Sequence, residues 1–202
     1  LNPSRLVART SEVERIELAK SLTYALMPLE KEGIIYADLK PENILLCPKD
    51  GHLTLKLIDL ESAFMKNDPP DRGYVIGTPD YYSPELYMYN REDEGVKGVS
   101  LTPASDVFSL ALVFFELFTG RRYAEHLAPK CPCELSMEGV ELPMPKEWPY
   151  ELRNLMEDML SYNPHRRPSL SRVLDVLSKA DLGKKVHVSS LDPEIYLERH
   201  YD

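Results

Sequence analysis

The sequence predicts a mainly α domain with one small β-hairpin, and three observations carry that expectation. Apolar residues recur at helical spacing over Val13, Ile16, Ala19, Leu22, Ala25, Leu26 and Leu29. The segment 104–120 is apolar all round and closes on Thr119-Gly120, the pattern of a buried central helix. Two short apolar runs, 43–46 and 53–58, flank the turn signal Pro48-Lys49-Asp50-Gly51. With 202 residues, 43% hydrophobic and 28% charged, the chain has the make-up of an ordinary globular domain large enough for one core.

Residues 1–10 are too short a stretch to assign. Ser11 with Glu14 three residues on forms a capping-box signature that opens the first amphipathic helix, and Gly33 marks its end. Pro69, Pro70, Gly73 and Gly77 make the stretch after the hairpin an irregular loop. Residues 86–102, charged and containing Gly95 and Gly98, read as a surface insertion. Residues 121–147 read as an extended loop with room for a short helix, and helices are expected at about 149–161 and 169–179, separated by Asn163-Pro164. The segment 181–202 reads as a polar tail containing Tyr196 and Tyr201, disordered by default.

The net charge of −9 and the pI near 5.1 argue against nucleic acid or an anionic membrane as the main partner. No stretch approaches the roughly 20 apolar residues of a membrane span. Cys47, Cys131 and Cys133, odd in number and without framework spacing, read as reduced thiols of a cytoplasmic compartment. Cys131-Pro132-Cys133 with His126 is a possible metal set, but it lacks a second pair at ligand spacing. The chain begins at Leu1 rather than Met, from which a longer natural chain is expected.

The informative segment is Ile35-Tyr36-Ala37-Asp38-Leu39-Lys40-Pro41-Glu42-Asn43-Ile44-Leu45-Leu46. It resembles the catalytic loop of protein kinases, H-R-D-x-x-x-x-N, with Asp38 and Asn43 at the required spacing. Its Leu-Lys-Pro-Glu resembles the serine/threonine branch. Lys56-Leu57-Ile58-Asp59-Leu60-Glu61 stands in the place of Asp-Phe-Gly, and Gly77-Thr78-Pro79-Asp80-Tyr81-Tyr82-Ser83-Pro84-Glu85 resembles the end of the activation segment. Asp106-Val107-Phe108-Ser109-Leu110 and Asn163-Pro164-His165-Arg166-Arg167-Pro168 resemble the start of the family's central helix and its late Arg-Pro element. Five such matches occur in the family's order.

The resemblance implies the C-terminal helical lobe of a serine/threonine protein kinase over 1–180. Its parts would be a catalytic loop at 35–46, a metal-loop hairpin at 53–61, an activation segment at 59–85, a central helix at 104–120 and late helices over 149–179. It implies ATP and Mg2+ as cofactors and a protein as substrate or regulatory partner. Asp38 would accept the proton of the substrate hydroxyl, Lys40 would steady the transferring phosphate, and Thr78 would bond near both. Asn43 and Asp59 would hold magnesium, a cation that takes oxygen ligands. Leu45 would floor the adenine, and Lys40, Glu42, Asn43, Leu45 and Asp59 are the implied cofactor-binding positions. Glu85 and Arg167 would form a buried ion pair, and Asp106 would accept backbone N–H groups of the catalytic loop. Taken singly, Asp38 also reads as a capping carboxylate and Asn43 as a turn residue.

Four departures bear on function. No Gly-rich loop and no Val-Ala-Ile-Lys strand occur in the sequence, so the N-terminal lobe that clamps nucleotide is expected to be absent from this chain. Ala37 replaces the Arg that often receives an activation-loop phosphate, Tyr36 replaces His, and Glu61 replaces Gly. Two functions are therefore expected as alternatives. One is phosphoryl transfer to protein hydroxyls once a small lobe is supplied, with the chain alone inactive. The other is a pseudokinase or lobe-only scaffold, binding a protein partner or itself through the apolar surface a small lobe would cover. A kinase of small-molecule hydroxyls is the runner-up fold; Gly77-Thr78 and Ser83-Pro84-Glu85, which build a peptide platform, count against it.

Overall fold

The computed structural model describes residues 2–49, 52–71, 74–91, 101–123 and 130–179. The expected turn residues Asp50 and Gly51, residues 92–100 of the expected insertion, His126 and the expected tail at 181–202 lie outside them. The described residues are mainly helical, with two two-stranded antiparallel sheets.

Helix α1 (Pro3–Arg9) starts from Asn2, whose side chain accepts from the Arg5 N–H at 3.2 Å. Helix α2 (Glu12–Glu32) opens on the Ser11/Glu14 capping box, with Ser11 N–H donating to Glu14 at 2.7 Å and Glu14 N–H to the Ser11 hydroxyl at 3.3 Å. It stops at Gly33, whose φ of 68° only glycine adopts at no steric cost. Strand β1 (Ile34–Ile35) pairs with β4 (Phe64–Met65), and β2 (Ile44–Lys49) pairs with β3 (His52–Leu57) in the register Leu45↔Lys56. Pro48 therefore belongs to a strand rather than to the turn. A two-stranded ribbon has only edges, where a missing N–H is tolerated.

Helix α3 (Pro84–Asn90) runs into the start of the segment expected at 86–102 to be a surface insertion, and Leu101 at its far end is buried. The local signal for α3 is Ser83 as N-cap, bonded to Leu86 N–H at 3.3 Å, followed by Pro84 at the first helical position. Helix α4 (Ala104–Thr119) is buried from Ser105 through Leu117 and ends at Gly120 in the left-handed region. Its Phe108, Leu110, Leu112 and Phe114 are at most 1% exposed, each adding about 1.5–3 kcal/mol of burial. Helices α5 (Pro132–Met137), α6 (Tyr150–Met159) and α7 (Leu170–Lys179) complete the described fold, α5 being a short helix of the kind the 121–147 loop left room for. Helix α2 packs against α4 and α7, α1 lies on α4, and α2 also meets β3. That arrangement lays the loop between β1 and β2 over the N-terminal end of α4.

Among the described residues no helix is long and apolar enough to cross a membrane. Cys47, Cys131 and Cys133 form no disulfide, and no group of three His, Cys, Asp or Glu side chains gathers at metal-binding distance among the described residues.

Candidate active site

Asp106, in the first turn of α4, fixes the floor of the site. Its two carboxylate oxygens accept from the Tyr36 N–H at 2.7 Å and the Ala37 N–H at 2.9 Å. Ala37 is thereby held with φ at 65°, a left-handed conformation that costs a non-glycine residue about 1 kcal/mol or more. This places Asp38 at the centre of a closed cluster. The Lys40 ammonium donates to Asp38 Oδ2 at 2.7 Å and to Thr78 Oγ1 at 2.8 Å, and the Thr78 hydroxyl donates to Asp38 Oδ1 at 2.6 Å. Asn43 Nδ2 donates to the Asp38 carbonyl and to Asp38 Oδ2, both at 2.9 Å. Asp38 is 8% exposed and Asn43 5%, so both sit at the bottom of the site rather than on an open face.

The chain therefore brings Asp38, Lys40, Asn43 and Thr78 into direct contact. Asp59 joins them only through its neighbour. Ile58 N–H donates to the Asn43 carbonyl at 3.0 Å, and the Tyr36 hydroxyl donates to the Ile58 carbonyl. Asp59 itself is exposed, with φ at 62°, a conformation Asp tolerates better than most residues. Burial first, and then the negative charges of Asp38, Asp59 and Asp106, hold the Tyr36 hydroxyl well above its ordinary range. Leu45 is half-buried on β2. Glu42 turns away from the cluster to Arg122 at 2.9 Å, and Arg122 reaches Asp80 at 3.6 Å.

Two contacts here were not visible in the sequence. The Tyr36 hydroxyl ties the loop between β1 and β2 to the peptide before Asp59, a contact for which a Tyr in place of His gives no separate signal. Gly77, at φ 79°, packs so closely on the loop between β1 and β2 that a Cβ there would stand 2.4 Å from the Ala37 carbonyl oxygen. A glycine before Thr78 was part of the motif, but its steric reason lies in the tertiary fold.

Around the site stands a structural frame. Glu85 and Arg167 pair at 2.5 and 2.8 Å, joining α3 to the segment before α7. Tyr81 donates to the buried Glu116 of α4 at 2.5 Å, and Ser109 donates to the Tyr81 carbonyl at 2.7 Å, fixing the segment after Thr78 on α4.

The Asp106 carboxyl is pushed up from 3.8 to about 7, chiefly by burial, while the Tyr36 and Ala37 N–H groups pull it down and Glu85 pushes it further up. Between those two values the folded protein holds more of this proton than the unfolded chain does. This group's contribution to stability is full below the unfolded value and is lost as pH rises through the folded one. Asp106→Asn is expected to flatten that dependence. Urea midpoints at about pH 5 and about pH 8 check it: the wild type should lose more stability between them than the variant.

The chain is similar in sequence to known protein kinases. The protein kinase domain model matches residues 5–177. A probable serine/threonine-protein kinase of Dictyostelium discoideum is 28% identical over 81% of this chain, and nek3, a probable serine/threonine-protein kinase of the same organism, 32% over 82%. The Aurora kinase of Schizosaccharomyces pombe is 30% identical over 78%. The chain spans 16%, 14% and 40% of the lengths of these three relatives. The family model covers most of the chain, including Asp38, Lys40, Asn43 and Thr78, and this chain belongs to the protein kinase family, on the side of its serine/threonine kinases.

Proposed function

We propose that the chain is the large, helical lobe of a serine/threonine protein kinase and carries the phosphoryl-transfer half of its site. The observation that carries this reading is the Asp38 carboxylate, bonded at once by Lys40, Thr78 and Asn43. Asp38 orients the substrate hydroxyl and accepts its proton, Lys40 balances charge on the transferred group, and Thr78 keeps both in register. The donor set fits magnesium. Asn43 spends its Nδ2 on Asp38 and keeps Oδ1 as an acceptor, and Asp59 offers an exposed carboxylate, both oxygen ligands. Magnesium, when bound, neutralises phosphate charge. Leu45 floors the adenine. The substrate is a protein, and the three thiols fit a reducing, cytoplasmic setting.

The 202 residues carry no Gly-rich loop, so the chain alone is expected to bind Mg-ATP weakly or undetectably. Fusing a Gly-rich-loop small lobe upstream of α1 should bring binding and transfer to Ser/Thr peptides. Asp38→Asn in that fusion should lower the transfer rate by about 10²–10⁴-fold without lowering nucleotide affinity. Equal rates for the two proteins would contradict the reading.

A second reading rests on a separate observation. Ile58 and Leu60, flanking Asp59, are 40% and 56% exposed and give the site an apolar rim. With Ala37 and Glu61 departing from the family pattern, a scaffold that binds a regulatory protein or a second copy through this rim also fits. Absence of transfer in the fusion, with nucleotide bound, would favour it.

A further inference from the structure

Asn90, the last residue of α3, lies outside every matched motif. Its carboxamide nevertheless engages both backbone groups of one activation-segment residue: Oδ1 accepts from the Ile76 N–H at 3.1 Å, and Nδ2 donates to the Ile76 carbonyl at 2.8 Å. This is how a neighbouring β-strand would pair a residue, supplied here by one side chain. The adjacent Tyr89 hydroxyl donates to the Pro70 carbonyl further up the same segment. Ile76 is 5% exposed, while Tyr74 and Val75 just before it are 73% and 75% exposed. The segment thus turns inward at the residue Asn90 holds. A buried peptide outside regular secondary structure needs partners for its N–H and C=O, and the Asn90 carboxamide provides them.

Ile76 leads directly into Gly77 and Thr78. Gly77 sits against the Ala37 carbonyl with no room for a Cβ, and Thr78 donates to Asp38. A shift at Ile76 is therefore passed on with little slack. We propose that Asn90 is a positioning residue for the Asp38–Lys40–Thr78 cluster, fixing Ile76 so that Gly77 seats on the catalytic loop and Thr78 reaches Asp38. Its functional meaning rests on the phosphoryl-transfer reading. Its test is read without nucleotide, so that the two stand or fall separately.

The test uses NMR on the 202-residue chain and Asn90→Ala, with two readouts: hydrogen exchange at the Ile76 amide, and the signals of the Lys40 ammonium and the Thr78 methyl. Asn90→Ala is expected to speed Ile76 exchange by about 10–100-fold. It should also shift the Lys40 and Thr78 signals, while the α4 amides of Leu110 and Val113 exchange as in the wild type. Asn90→Asp, which keeps the acceptor and loses the donor, should lie between. Unchanged Ile76 exchange would overturn the proposal. So would faster exchange at Ile76 with the Lys40 and Thr78 signals unmoved, since Asn90 would then be a local tie only. Should Asn90→Ala fail to fold, Asn90→Asp is judged by the same two readouts.

Discussion

Arg167→Met is expected to cost about 3–5 kcal/mol of folding stability, the loss that follows from removing one partner of a buried ion pair. The Arg167 side chain is fully buried and the Glu85 side chain 4% exposed. All of the guanidinium's N–H groups are used: two on Glu85, and one each on the carbonyls of Ser161, Ala104 and Tyr162. The guanidinium also lies over the Phe108 ring, 5.1 Å from its centre. Without it, Glu85 is a carboxylate out of water with no counter-charge, and three carbonyls lose their donors. Leu or Met at both positions removes the stranded charge, so Glu85→Leu with Arg167→Met should cost less than the sum of the single changes. Urea unfolding of the three variants measures this, and additive losses would show that the pair is not coupled.

Gly77→Ala should have the largest effect on chemistry for the smallest change in side chain. The added carbon would meet a backbone oxygen, that of Ala37, at 2.4 Å, and it would sit on a residue at φ 79°. Backbone does not swing aside as a flexible side chain does, so Ala37 or the segment around Gly77 must move. The backbone conformation alone costs about 1–3 kcal/mol. Ala37 is followed directly by Asp38, and a misplacement of about 1 Å at a reacting group can cost about 10²-fold in rate. The expected outcome is a modest fall in the urea midpoint and a loss of transfer in the small-lobe fusion of about 10²-fold or more. A variant that loses stability but keeps its rate would break the link drawn here between Gly77 and Asp38.

Features that depend on local chemistry were legible in the sequence. Ser11 and Glu14 announce α2, Gly33 and Gly120 stop two helices, and the all-round apolar run of α4 marks it as buried. What was missed depended on distant partners or on competing signals. Helix α1, over seven residues, is too short to display a period. The β1–β4 sheet pairs two residues with two others about thirty positions away, which no local pattern encodes. In α3 the cap at Ser83-Pro84 was present, but the charge of the following residues suggested a loop. At the site, the residue types and spacing located Asp38, Lys40, Asn43 and Thr78, while Glu42 turned outward to Arg122. Asn90 carried no sequence signal, because a carboxamide at a helix end is ordinary until its partner is known.

The central claim is that Asn43 and Asp59, beside Asp38, form the metal and phosphate end of a phosphoryl-transfer site. Paramagnetic broadening by Mn2+ tests it most directly, because it needs neither a small lobe nor a substrate. The account predicts that substoichiometric Mn2+ first broadens the Asn43 carboxamide and the amides of Asp38, Ile58 and Asp59, and that Asp59→Asn removes this selectivity. Broadening spread over the acidic surface of a chain with net charge −9, unaffected by Asp59→Asn, would contradict it.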